Sequence, residues 1–73
     1  MTITAHKIRE HDVVRLKQPA GKWPAGKEGT VLAVKDGWEL VELADDQGVT
    51  LDLISVRESD LDLAWKPGWP GDS

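Results

Sequence analysis

Two histidines, His6 and His11, are the only imidazoles in a chain of 73 residues that contains no cysteine. Their spacing matches neither one turn of a helix nor alternate positions of a strand, the two arrangements that aim a pair of imidazoles at one metal. Asp45-Asp46 and the set Glu58, Asp60 and Asp62 supply carboxylates. Neither group has the ligand spacing of a calcium loop, and turn chemistry together with a capped helical turn accounts for both. Ser55 and Ser59 would need a base to act as nucleophiles, and no histidine lies near them in the sequence. Gly26 to Gly29 is too short to cradle a phosphate, and no Lys-Ser or Lys-Thr pair follows it. The expectation is a chain with no catalytic residue, no metal ligand and no cofactor.

The four tryptophans remain. Tyr and Phe are absent, so Trp23, Trp38, Trp65 and Trp69 carry all the aromatic surface. One or two of them must serve the core of so small a domain, and Trp65, in an alternating run, is the candidate. Trp38 lies beside an Asp-Gly pair and is expected to be partly buried. Trp23, between Lys22 and Pro24, and Trp69, among prolines and glycines, are harder to bury. A rigid indole loses little entropy when it docks on a partner, which is why exposed tryptophan marks interfaces. Trp23, Lys22, Trp38 and Trp69 are therefore the candidate contact residues, and the partner they suit is another protein. By itself the chain is expected to be a monomer or a weak homodimer.

Charge narrows the partner further. The net charge is −4 and the isoelectric point about 4.9, which opposes the phosphate-neutralising contribution that supplies most non-specific nucleic-acid affinity. Residues 1–35 carry seven Lys or Arg against three acids, whereas 36–62 carry nine acids against Arg57 alone. In a fold that interleaves the two halves, these charges neutralise one another across neighbouring strands. No apolar run approaches the ~20 residues that span a bilayer, and no secretory h-region opens the chain, so no membrane contact and a cytoplasmic location are expected.

The elements that position these residues read as strands. A run of 73 residues holds one domain, close to the lower limit at which apolar burial alone maintains a fold. Residues 1–10 form a polar arm. A first strand covers 11–17, with Val14 and Leu16 on one face, and a loop containing Pro19, Gly21 and Pro24 follows it. Gly26 or Gly29 supplies a positive φ before a second strand at 29–35. Asp36-Gly37 then suits a type I′ turn into a third strand at 38–43. There Val41 and Leu43 share one face, while Trp38, Leu40 and Glu42 share the other, which is expected to lie under loops. After a turn at 44–48, a fourth strand at 49–56 presents Leu51 and Leu53 until the phase breaks at Leu53-Ile54, where a bulge is expected. Residues 57–61 fit a single 3₁₀ turn, and Leu61, Leu63 and Trp65 alternate in a closing strand. The predicted core is Val14, Leu16, Val31, Val41, Leu43, Leu51 and Leu61. Beyond residue 66, Pro and Gly prevent both helix and ladder, so 67–73 leaves the barrel as a tail, with Trp69 expected to dock back on its own barrel or on a second copy.

Five short strands, a long loop after the first and a helical turn before the last amount to the plan of an all-β, five-stranded SH3-like barrel. The runs Asp12-Val-Val-Arg-Leu16, Ala25-Gly-Lys-Glu-Gly-Thr-Val31, Glu39-Leu-Val-Glu-Leu43 and Asp60-Leu61 resemble the short bacterial proteins grouped as domain of unknown function 4926, across about residues 10–65. The Gly-Lys-Glu-Gly-Thr-Val segment also resembles the KOW motif of ribosomal and transcription proteins and the accessory-subunit barrels of some hydratases. The family resemblance implies a barrel without implying a role. The KOW resemblance implies an alternative, contact with nucleic acid or the ribosome through the basic first half, although KOW modules carry basic surfaces and the second half here is acidic.

Overall fold

The computed structural model describes residues 8–68. Five strands follow one another: β1 (Val13–Leu16), β2 (Glu28–Lys35), β3 (Trp38–Ala44), β4 (Thr50–Arg57) and β5 (Leu61–Trp65), with a 3₁₀ turn (Glu58–Asp60) between the last two. They form one antiparallel sheet in the order β4-β3-β2-β1-β5. That order places β4 and β5 at opposite edges, yet only the three-residue 3₁₀ turn joins them. A flat sheet would hold those edges about 19 Å apart, farther than one turn reaches. The sheet must therefore roll up around its core, and all five strands contribute to one buried cluster or pack against it. The all-β plan, with its 3₁₀ turn before the last strand, is the one the sequence predicts.

Local chemistry sets the strand ends. Asp36 and Gly37 both adopt positive φ, +54° and +82°, as a type I′ turn requires, and β2 passes directly into β3. His11 also has a positive φ, +73°, which takes it out of the extended backbone, so β1 begins at Val13 rather than at residue 11. Of the two glycines expected to turn the chain into β2, Gly26 supplies the left-handed turn with φ +90°. Gly29 serves a different purpose. A Cβ there would meet Val41 Cγ1 at 2.6 Å, the Glu42 carbonyl oxygen at 2.7 Å and Leu43 Cδ2 at 2.7 Å, so its bare backbone lets β2 and β3 close over the core.

The buried apolar residues are Ile8, Val14, Leu16, Val31, Val41, Leu43, Val56 and Leu61. Ile8, which the sequence reading leaves in the N-terminal arm, is part of this core. Leu51, expected there, is 44 % exposed, and the position of the bulge explains why. The β3–β4 ladder slips between Leu43↔Asp52 and Ala44↔Thr50, which leaves Leu51 unpaired, so the irregularity lies at Leu51 and not at Leu53-Ile54. At Asp52 and Leu53 the phase is the reverse of that predicted. Ile54 and Val56 face the core, and Leu53, Ser55 and Arg57 face away, because a slip of one residue exchanges the two faces of a strand. Trp65 is half-buried and stands outside the fully buried set.

Candidate interaction surface

The loop between β1 and β2 turns back on itself at its tip. Ala20 and Trp23 exchange both backbone hydrogen bonds, each 2.9 Å, around Gly21-Lys22, and Gly21 takes the positive φ of +58° that so tight a turn demands. This small clasp aims the Trp23 indole inward. The ring is half-buried against the core, and its Nε1–H donates to Asp52 Oδ2 at 2.8 Å. Lys22 and Lys27 each place Nζ 5.3 Å from the ring centroid. The indole hydrogen bond is the main cause that holds the Asp52 carboxyl below its usual range, against a smaller opposing effect of desolvation. Asp52 Oδ1 in turn accepts the backbone N–H of Leu53 at 2.9 Å. Trp23 thus spans from the β1–β2 loop to the edge strand β4 and closes one end of the barrel.

Trp38 lies elsewhere. It pairs with Arg57 on β4 and Lys35 on β2, with the Arg57 guanidinium 4.5 Å from its ring centroid. Positions 52 and 57 are separated by about 16 Å of extended chain and face opposite sides of the sheet, so Trp23 and Trp38 do not form one site. Lys22 stays with Trp23. Trp69 lies outside the described residues.

The ladder defines what surrounds Trp38. On the outward side of β2, β3 and β4, one row reads Lys35, Trp38, Arg57, the next Ala33, Leu40, Ser55, and the third Thr30, Glu42, Leu53. Leu32, the extra residue of a bulge between Val31 and Ala33, adds to the middle row. Trp38, Leu32 and Leu53 are 43 %, 40 % and 52 % exposed, so this face is open rather than covered by loops as the sequence suggested. Apolar side chains exposed on neighbouring strands make this face the candidate contact surface. Sequence reading missed Leu53 and Leu32 because each depends on a bulge, and bulges are set by pairing rather than by local pattern.

A second buried feature was also missed. Glu39 shares the inward phase of Val41 and Leu43 and is 0 % exposed, and neither carboxylate oxygen finds a hydrogen-bond partner among the described residues. Burial, then the charges of Glu58 and Asp12, push its carboxyl up to about 7. Asp12, also buried, is compensated: Lys66 Nζ donates to its Oδ2 at 2.6 Å and the Arg9 backbone N–H at 2.8 Å. The two-residue phase from Val41 was legible in the sequence; the missing countercharge was not.

The other predicted groups are accounted for by local structure. Asp45 Oδ1 accepts the backbone N–H groups of Gln47 and Val49, both at 2.9 Å, and closes the β3–β4 turn. Among the described residues no group of three or more His, Cys, Asp or Glu is placed to hold a metal ion. His11 borders an open pocket of about 480 Å³ with Ile8, Arg9, Glu10 and Val34. Arg15 pairs with Glu28 at 2.7 Å, and Lys17 stands 3.9 Å from Asp62, so charges of the basic half meet acids on adjoining strands. None of the described helices is long and apolar enough to cross a membrane. No family model, curated protein or solved structure matches the chain.

Proposed function

We propose that this chain is a non-catalytic protein–protein interaction module working in the cytoplasm, built on an SH3-like barrel of the kind its resemblance to the domain of unknown function 4926 family implies. The observation that carries the reading is the open outward face of β2, β3 and β4, where Leu32, Trp38 and Leu53 remain exposed although the domain has few apolar side chains to spare for its core. The Arg57–Trp38 stack adds a rigid, amphipathic anchor of the kind that dominates interface energetics. Trp23 and Lys22 form a separate, smaller contact region at the barrel end. The nucleic-acid alternative draws less support, because Arg15 and Lys17 of the basic half stand beside Glu28 and Asp62, and Lys22 and Lys27 lie against the Trp23 ring.

The test is capture from lysate of the source cells with tagged wild type and with a Trp38→Ala, Leu53→Lys variant shown to be folded by circular dichroism. The reading expects proteins retained by wild type and lost from the variant. Equal retention by both would remove this face as the contact surface.

A further inference from the structure

Two outward rows of the open face differ in sign. The Trp38 row carries Lys35 and Arg57, while Asp36 and Glu58 lie in the turns that adjoin it. Beyond the Leu40 row lie Glu42 and, in the β3–β4 turn, Asp45 and Asp46, and residues 41–56 contain no Lys or Arg. The order along β3 is thus cationic, apolar, anionic. Such a pattern is complementary to itself. A two-fold axis lying in the plane of the face and running across the strands at Leu40 sets apolar row on apolar row. It also brings the cationic row of each copy over the anionic row of the other.

We propose that this face binds a second copy of the chain, with Leu40 at the axis and Arg57 of each protomer reaching Glu42 of its partner. The proposal rests on the interaction-module reading and names its partner. Two features support the choice. The charge order sets the Lys35 and Arg57 row of each copy over the Glu42 row of the other in this arrangement, whereas a two-fold axis along the strands would set like rows together. The edge of β4 offers a poorer route, because the Leu53 N–H is already committed to Asp52 Oδ1 and the strand is bulged at Leu51. Contact through the face is therefore favoured over addition of a strand. Three strands make a footprint about 15 Å wide, small for a stable complex, so the dissociation constant should fall in the range of tens to hundreds of micromolar.

Sedimentation velocity on the purified full chain, from about 10 µM to about 1 mM, tests this. Wild type should pass reversibly from monomer to dimer. Arg57→Glu alone and Glu42→Arg alone should stay monomeric, because each puts like charges face to face, and an equimolar mixture of the two should dimerise again. A wild type that is monomeric throughout overturns the proposal, as does a mixture that fails to associate or single variants that dimerise like wild type. Leu53→Lys covers the case in which a charge swap unfolds the barrel: folded by circular dichroism, it must lose the dimer, and retention overturns the proposal equally. A monomeric wild type that still captures proteins through this face would remove only the second-copy assignment and leave the interaction reading standing.

Discussion

Glu39→Gln should change the pH dependence of folding more than any other single substitution in this chain. The native Glu39 carboxyl is buried without a hydrogen-bond donor and faces Glu58 and Asp12, and it titrates at about 7 instead of 4.5. Below about pH 4.5 the group is protonated in both folded and unfolded chains and costs nothing. Between 4.5 and about 7 the folded chain holds a proton that the unfolded chain has released, so stability falls as pH rises, and above 7 the loss from this group is complete. A displacement from 4.5 to about 7 corresponds to about 3 kcal/mol. That is a large part of the stability expected for so small a domain. Gln keeps the shape and removes the ionisation. Urea denaturation of wild type and Glu39→Gln at several pH values between 4.5 and 9 should therefore give curves that diverge. The variant should gain about 3 kcal/mol on wild type from the acid end to the alkaline end, equivalent to a relative Tm change of roughly 12–24 °C. The divergence is independent of any constant offset from repacking. Parallel curves would mean that Glu39 ionises in the folded chain as freely as in water, contrary to its buried, uncompensated setting. Glu58→Gln removes the largest neighbouring charge and should move the decline to lower pH.

Three further outcomes follow from the core and the turns. Val41→Asp places an unpaired charge at a fully buried position and should abolish the cooperative thermal transition; a folded variant would contradict the inward phase of β3. Gly29→Ala drives a methyl into the Glu42 carbonyl and should cost about 2–3 kcal/mol, whereas Gly26→Ala meets open space and only left-handed strain, about 1 kcal/mol, so the order of the two urea midpoints checks the assignment. Trp23→Phe removes the donor to Asp52 Oδ2, so the Asp52 carboxyl should rise toward its ordinary range in an NMR titration. In wild type the stability gained from the lowered Asp52 carboxyl is lost as pH falls through its folded value, so the same variant should lose less stability on acidification.

The sequence carried the strand plan because three signals agreed locally. Asp36-Gly37 marked the hairpin, Val14-Leu16 and Val41-Leu43 marked the inward phase, and the short polar run before Leu61 marked the 3₁₀ turn. It failed along β4. There Leu51, Leu53 and Ile54 are all apolar, so pattern alone left the phase open, and the slip opposite Leu43 and Ala44 decided it. The same slip turned Leu53 outward and so created part of the candidate surface. Glu39 shows the complementary failure. An acidic residue in an alternating strand reads as solvent-facing, and only the rolling of the sheet brings it beneath Glu58 and Asp12. Trp23 was recognised by type and setting, but its inward aim depends on the Ala20–Trp23 clasp and on Asp52, 29 residues away in sequence.

Residue-resolved NMR of the full chain as a function of its own concentration reads out whether the outward face of β2, β3 and β4 binds a second copy. Between about 20 µM and about 1 mM, amide shifts should change at Leu32, Trp38, Leu40, Leu53 and Arg57, with the Trp38 indole N–H among the largest movers. The Trp23 indole N–H, held by Asp52, should stay in place. Changes centred on residues 17–27, or a spectrum that does not respond to concentration at all, would contradict the claim that this face binds a second copy.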